Sequence, residues 1–473
     1  MLDEAPPPSG IHALIGILVA RARAAQSIAD DYGQHETDLL VAAAGWAIME
    51  PARNRSLAEL AVAETGLGNV ADKIQKNHRK TLGLLRDLKG AKSVGVISER
   101  EESGIVEIAR PVGVVAAITP STNPGATPAN KIINALKGRN AVILAPSPKG
   151  WSIAARLVDF IHAEFDRIGA PHDLVQLLPA PVTKQATQEL MRQADLVVAT
   201  GSQANIRAAY ASGTPAFGVG AGNVASIVDR SADLERAAEL IAISKTFDNA
   251  TSCSSENSLV LDAAIHDDML AALARRGGVL LDADERRRLQ GALFPDGKLS
   301  PDLIAKDAPS IAAKAGLADP RFRAARFLMV EEEGFGKAHP FSGEKLSPVL
   351  ALYRAEGFAE AVGIVARIYA YQGAGHSVGL HTRDEAQAMR LGLELPVSRV
   401  IVNQAHCIAT GGSFDNGLPF SLSMGCGTWG RNSFSDNLNY RHFLNITRIA
   451  KVIPERIPDE GELFEAYFAR VGR

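Results

Sequence analysis

Cysteine is scarce in this chain: three in 473 residues, at positions 253, 407 and 426. An odd, widely spaced set suits neither a disulfide framework nor a Cys-based zinc site, and it points to a reducing cytosol and a cytoplasmic protein. Charge of one sign is also lacking. The net charge of −3 offers no basic surface for nucleic acid or an anionic membrane, so neither partner is expected. Long apolar runs are missing as well. Ile11 to Ala20 is apolar but short, and Arg21 and Arg23 follow at once, which suits a helix face better than a membrane span. The acidic, Pro-rich Met1 to Gly10 has no basic leader and does not read as a signal peptide. No His/Asp cluster stands at ligand spacing, so no metal is expected. Repeats and low-complexity tracts are absent. What is present is ordinary globular composition, 46% hydrophobic and 22% charged, in a chain too long for one core; two or three domains are expected.

Apolar residues at helical spacing predict helices over Ile11 to Asp30 and Thr37 to Thr65. From Gly104 the texture changes to short β-rich runs alternating with helices. Strands are expected at Val112 to Thr119, Ala141 to Ala145, Leu174 to Leu178, Leu196 to Thr200 and Ala225 to Asp229. A second such series runs from about Ala232 to Ser435, with strands near Ser258 to Leu261, Val349 to Tyr353 and Arg399 to Asn403. Strand–helix alternation implies mostly parallel sheets with helices on both faces, an α/β fold. The tail from Asn439 to Ala450 alternates polar and apolar residues. It reads either as a strand for a partner subunit or as an edge strand of its own sheet.

Cys253 lies in Lys245-Thr246-Phe247-Asp248-Asn249-Ala250-Thr251-Ser252-Cys253-Ser254-Ser255-Glu256-Asn257, with no apolar residue within two positions. A buried structural cysteine keeps apolar company; this one has the surroundings of a reactive loop thiol. Strand Ala116 to Thr119 runs into Pro120-Ser121-Thr122-Asn123-Pro124-Gly125. Functional groups in open α/β sheets gather at the carboxyl ends of strands. Asn123 there can donate its amide to an oxyanion, or simply form a turn. Ala199-Thr200-Gly201-Ser202 closes another strand with a turn whose amides can hold a pyrophosphate. Gly218-Val219-Gly220-Ala221-Gly222 is Gly-rich but is not the dinucleotide fingerprint.

In this order, and with Glu344-Lys345-Leu346-Ser347-Pro348, Ser413-Phe414-Asp415-Asn416 and Gly425-Cys426-Gly427-Thr428-Trp429-Gly430, the motifs resemble the aldehyde dehydrogenase superfamily from about residue 11 onward. More narrowly they are similar to its CoA-acylating branch. The resemblance implies an aldehyde dehydrogenase-like fold: a Rossmann-type cofactor domain over 1–230 with part of a small oligomerisation arm near 95–112, an α/β catalytic thiol domain over 231–435, and an oligomerisation or return segment over 436–473. It implies Cys253 as nucleophile, Asn123 and the Cys253 N–H as oxyanion donors, and Glu344 at the nicotinamide ribose. Thr119, Pro120, Thr200, Gly201, Ser202 and Gly220 are expected around the cofactor. His376, in the Gly-rich loop Gln372 to Ser377, approaches the thioester or the cofactor, or is structural; Cys407 and Cys426 read as structural.

One departure bears on the reaction. Hydrolytic members carry Glu-Leu-Gly-Gly, whose glutamate activates water. Here Gly218 stands in the glutamate's place. Without a general base water attack on a thioester is slow, whereas a thiol needs little help. Coenzyme A is therefore the expected co-substrate, in a reversible acyl-CoA-forming reaction. The turn Pro146-Ser147-Pro148-Lys149 carries no acid, and Ser147 with Lys149 can bind a 2′-phosphate, which favours NADP over NAD. The stretch from Gly412 to Gly427 is most similar to the acylating sulfoacetaldehyde dehydrogenases; an acylating dehydrogenase for succinate semialdehyde, acetaldehyde or other short aldehydes, or a hydrolytic aldehyde dehydrogenase, is the alternative. Ser413, Asn416, Thr428 and Arg431 are the candidate sulfonate contacts, with Arg431 either in the pocket or in solvent. A homodimer or homotetramer is expected, without the iron-dependent alcohol dehydrogenase half of bifunctional relatives and without a microcompartment-targeting helix.

Overall fold

The computed structural model describes residues 10–220 and 222–472, so apart from Gly10 the expectation for Met1 to Gly10 lies outside the described residues. Four helices lead the chain: Gly10–Asp30, Gln34–Met49, Pro51–Thr65 and Val70–Leu88. The expected helix from Thr37 to Thr65 is two. Glu50 caps the second by accepting from the N–H groups of Ala52 and Arg53 at 3.2 and 2.8 Å, and Pro51 fits the first helical turn, where its missing N–H costs nothing. Gly66, at φ 67°, ends it in the left-handed conformation. Helix Gly10–Asp30 is long and apolar enough to cross a membrane by length and composition. One face, with Ile15, Leu18, Ala22, Ala25 and Ala29, is nevertheless buried in the core beneath strand Ala141–Pro146.

The first sheet is wholly parallel, in the spatial order Val175–Leu177, Ala141–Pro146, Val114–Thr119, Leu196–Thr200, Ala216–Val219. Its central strands are buried on both faces, as continuous Val/Ile/Ala runs require. Strand order reverses between Val114–Thr119 and Leu196–Thr200. A ligand crevice is expected beyond their carboxyl ends.

The second sheet has seven parallel strands in the order Gly278–Leu280, Phe327–Glu331, Val349–Ala355, Glu256–Asp262, Val224–Val228, Val378–His381, Val400–Val402. Strand Val224–Val228 belongs here and not to the first series, because it pairs with Glu256–Asp262 and Val378–His381 on its two sides. The change of sheet therefore falls between 219 and 224, ahead of residue 230. A third, antiparallel sheet joins Gly95–Arg100, Ile105–Pro111 and Leu444–Ala450. The tail strand is thus an edge strand of its own chain's sheet. Helix Glu460–Val471 follows, with no buried residue and with Leu463, Phe464 and Tyr467 exposed.

Candidate active site

Cys253 sits in the loop between helix Leu234–Thr246 and strand Glu256–Asp262. The loop is wound tightly: Asp248, Asn249 and Ala250 all have left-handed backbones at φ 51°, 51° and 59°. Non-glycine residues hold that conformation only where surrounding contacts impose it. Here the contacts converge on the buried Asp248 carboxylate. It accepts from Lys76 Nζ at 2.5 Å, Lys73 Nζ at 3.1 Å, Thr251 Oγ1 at 2.8 Å and the Asn69 N–H at 3.0 Å. Gly68 makes room, since a Cβ there would lie 1.8 Å from Asp248 Oδ1. Burial would raise the Asp248 carboxyl, but the Lys76 and Lys73 ammonium groups outweigh it and hold it below the ordinary carboxylate range. Lys73 itself is pushed down to about 8, by burial first and Lys76 second.

Lys76 does more than neutralise Asp248. Its ammonium donates to Asn123 Oδ1 at 2.8 Å and to Thr251 Oγ1 at 3.1 Å. With its oxygen engaged by a cation, the Asn123 amide must turn its NH₂ the other way, and that NH₂ has no acceptor among the described residues. The Cys253 N–H donates to no other described residue and faces its own thiol. An oxyanion hole needs two such donors. Asn123 is therefore oriented by a lysine on helix Val70–Leu88, a helix missing from the sequence expectation, and not by the turn around it.

The thiol faces His376, whose Nε2 is 3.5 Å from Cys253 Sγ. Nδ1 lies 2.7 Å from Ser377 Oγ, so with the proton on Nδ1 the ring offers Nε2 as acceptor to the thiol. Burial, with help from Arg399, lowers His376 to about 3, which keeps the imidazole neutral. Burial also pushes the Cys253 thiol up to about 12, and the Glu344 carboxylate acts in the same direction. Glu344 is raised to about 8 by burial and accepts from the Gly222 N–H at 3.2 Å, so it is largely neutral at pH 7. Gly222 is packed against the thiol loop: a Cβ there would be 2.4 Å from the Cys253 carbonyl oxygen.

The place of the hydrolytic glutamate is filled. A Cβ at Gly218 would meet Ile206 Cγ2 at 2.9 Å and the Tyr210 ring at 3.0 Å, and one at Gly220 would meet Gln203 Nε2 at 2.4 Å. Tyr210 also donates its hydroxyl to the Gly218 carbonyl at 3.1 Å.

Of the expected cofactor residues, Thr119 and Ser147 line the crevice at the reversal of strand order. A cavity of about 280 Å³ there is lined by Thr119, Ser147, Pro148, Thr183 and Asn205, among others. Pro120 faces Gly201, with 3.9 Å between the Pro120 Cβ and the Cβ position of Gly201. Ser202 caps helix Gln203–Tyr210 by accepting from the Asn205 N–H at 3.3 Å, and Thr200 Oγ1 is 2.7 Å from Ser423 Oγ. The hydroxyls of Thr119 and Ser147 are buried without partners, an arrangement that fits a polar ligand. Lys149 is exposed in the turn Pro148–Gly150. A dinucleotide therefore fits this crevice: Thr119 and Ser147 would bind it, and the free amides of the capped helix would face its phosphates.

A second cavity, of about 240 Å³, reaches the catalytic loop at Asn123 and Ser252. Lys76, Arg79 and Lys80 of helix Val70–Leu88 line it, as do Arg236, Ser413 and Asp415. The expected substrate contacts divide. Ser413 is in the wall. Asn416 is a brace: its amide donates to Gln404 Oε1 at 2.9 Å and the Ala409 carbonyl at 3.2 Å, and its oxygen accepts the N–H groups of Ser413 and Leu418. Thr428 and Arg431 are exposed and outside this lining. The cations Lys76 and Arg79 went unassigned in the sequence. The signal was there: Lys73, Lys76 and Lys80 recur at the i, i+3, i+7 spacing of a buried helix face.

A strained nucleophile loop, an oriented amide and a dinucleotide crevice define an oxidoreductase of the aldehyde group. The family model for the aldehyde dehydrogenase family matches residues 10–282, and the chain belongs to that family, in its CoA-acylating branch. Its relatives narrow the class. It is 67% identical over 459 residues to a sulfoacetaldehyde dehydrogenase (acylating) of Cupriavidus necator, covering 97% of this chain and 93% of that one. It is 43% identical to a protein of the same description in Bilophila wadsworthia, covering 94% and 97%. Identity is 38% to a succinate-semialdehyde dehydrogenase (acetylating) of Clostridium kluyveri, covering 94% and 98%. The crystal structure of an acetylating aldehyde dehydrogenase from Geobacillus thermoglucosidasius superposes with a TM-score of 0.90 at 36% identity, covering 95% of this chain and 98% of that one.

Proposed function

We propose that this enzyme interconverts sulfoacetaldehyde and its coenzyme A thioester, using NADP. The observation that carries the acylating reaction is the packing around Gly218, which leaves no room for a water-activating carboxylate. The cavity wall supports the substrate. Lys76, Arg79, Lys80 and Arg236 line it beside Asp415; Lys76 is paired with Asp248, Arg236 with Glu239 and burial lowers Lys80 to about 7, so Arg79 is the cation left to attract a small anionic aldehyde.

In this reading the Cys253 thiol passes its proton to Nε2 of the neutral His376, 3.5 Å away, as sulfur adds to the aldehyde carbon. The Asn123 amide and the Cys253 N–H take the resulting oxyanion. Bound nicotinamide supplies the hydride acceptor. Glu344, facing both the thiol and the Gly222 amide, orients the ribose side of the site. The thioester left on Cys253 awaits a thiol, because Glu344 is largely protonated at neutral pH and is a poor base for water. Coenzyme A attack expels Cys253 and returns the enzyme. Ser147 and Lys149, in a turn without an acid, support the preference for NADP. We take the protein to be a cytosolic homo-oligomer.

The test is reduced-nicotinamide formation from sulfoacetaldehyde and NADP, with and without coenzyme A. Turnover that depends on coenzyme A and disappears in Cys253→Ala is expected. Turnover undiminished by omitting coenzyme A refutes the acylating reaction. The cavity's cations serve a carboxylate as well as a sulfonate, so succinate semialdehyde is the second reading; the ratio of kcat/KM for the two aldehydes decides between them.

A further inference from the structure

Deepening that reading, we propose that Arg79 is the specificity-determining residue of the site, the donor that captures the acid group of the aldehyde. The inference rests on which of the cations around the cavity still has hydrogen bonds to give. Lys76 spends its three protons on Asp248, Asn123 and Thr251. Lys80 spends its own on the carbonyls of Ile408, Gly411 and Gly412, at 3.2, 2.9 and 3.1 Å. Arg236 keeps N–H groups to give, but it is exposed and its charge is paired with Glu239 at 2.7 Å. Arg79 is different. Its Nη2 donates to Ser413 Oγ at 2.6 Å, its Nε is buried without any partner, and no carboxylate lies within salt-bridge distance among the described residues.

The guanidinium is also held in place. It stacks 4.8 Å from the centre of the Phe414 ring, and Ser413 passes the contact on to Asp415. A planar cation fixed by an aromatic face and a hydroxyl, with N–H groups unspent, is prepared for an oxyacid. Its place on the helix matters as much. Arg79 follows Lys76 by three residues, so both project from one face of helix Val70–Leu88. One helix thereby orients the oxyanion donor Asn123 and presents the group that holds the other end of a short anionic substrate. Specificity of this kind comes from buried donors left unpaired when a neutral aldehyde occupies the cavity.

Two measurements test the assignment. In the first, kcat/KM is compared for sulfoacetaldehyde and the neutral propionaldehyde in the wild type, Arg79→Gln and Arg79→Lys. The ratio favouring sulfoacetaldehyde is expected to fall about 10- to 100-fold in Arg79→Gln, the range controlled by a charge-assisted hydrogen bond, mainly through KM, with partial recovery in Arg79→Lys. Equal losses for both aldehydes, or an unchanged ratio, overturn the proposal. The second measurement needs no turnover: ethanesulfonate is tested as protection of Cys253 against iodoacetamide. Protection in the wild type that is lost in Arg79→Gln supports the anion site even if sulfoacetaldehyde proves not to be the substrate. Protection that is absent, or equal in both proteins, refutes it.

Discussion

Burial raises the Cys253 thiol and the Glu344 carboxylate adds to that cost, which makes the thiol's reactivity a function of pH with a definite sign. The carboxyl, raised to about 8, becomes anionic as pH climbs past that value, and its charge then opposes formation of the thiolate, whose own midpoint is pushed up to about 12. Free enzyme should therefore react slowly with iodoacetamide at neutral pH and faster only on the alkaline side. In Glu344→Gln the opposing charge is gone, so the alkaline limb of the alkylation profile should move to lower pH; a limb that stays put would separate the two groups electrostatically. Cys407 and Cys426 are buried and do not confuse the readout. At the same scale Asn123→Ala removes the proposed oxyanion donor and should lower kcat by about 10²–10³. Cys253 and Asn123 were legible in sequence because each sits in a polar context at a strand end or loop. Their orientation was not legible, since it depends on Lys76, 47 residues from Asn123 along the chain.

At the scale of elements, helix Val70–Leu88 connects the parts of the active site. It carries Lys73 and Lys76 to Asp248, and Arg79 and Lys80 to the loop around Ser413. Lys76→Met should release the Asn123 amide and weaken the loop's left-handed turn. The expected result is a lower kcat with little change in KM, and a stability loss of about 3 kcal/mol by denaturant titration, as for breaking a buried pair; Lys73 remains beside Asp248 to limit the damage. Strand Ala216–Val219 makes the opposite point about a missing side chain. Installing the hydrolytic base as Gly218→Glu should yield no coenzyme A-independent release of acid and should cost about 1–3 kcal/mol, because Ile206 and Tyr210 occupy the space. Release of acid without coenzyme A by this variant would show that the strand can move aside. The proposed NADP preference rests on the turn Pro148–Gly150: Lys149→Glu should lower the NADP-to-NAD ratio of kcat/KM at least about tenfold, the loss of one charge-assisted contact.

For the whole molecule, the open question of surface is the tail. Helix Glu460–Val471 buries nothing against its own chain yet shows Leu463, Phe464 and Tyr467 to solvent. An amphipathic helix gains little stability alone, so a second copy of this chain is its expected cover. Deleting residues 456–473 should reduce the particle mass measured by light scattering; an unchanged mass would place the subunit contact elsewhere. The alternation of strands and helices, the parallel sheets, the reactive thiol and the absence of a glutamate at Gly218 follow from the sequence itself, because periodicity, turn chemistry and residue type are local properties. Other features were decided only by the tertiary structure. Strand Val224–Val228 reads like its predecessors but joins the second sheet, since the choice of neighbours is a matter of pairing and not of composition. Thr428 and Arg431 share a motif with the site yet lie outside its cavity, while Arg79, more than 300 residues from Ser413 in sequence, donates to it across 2.6 Å. Which charges face one another is set by long-range packing, and packing brings together residues that no local pattern connects.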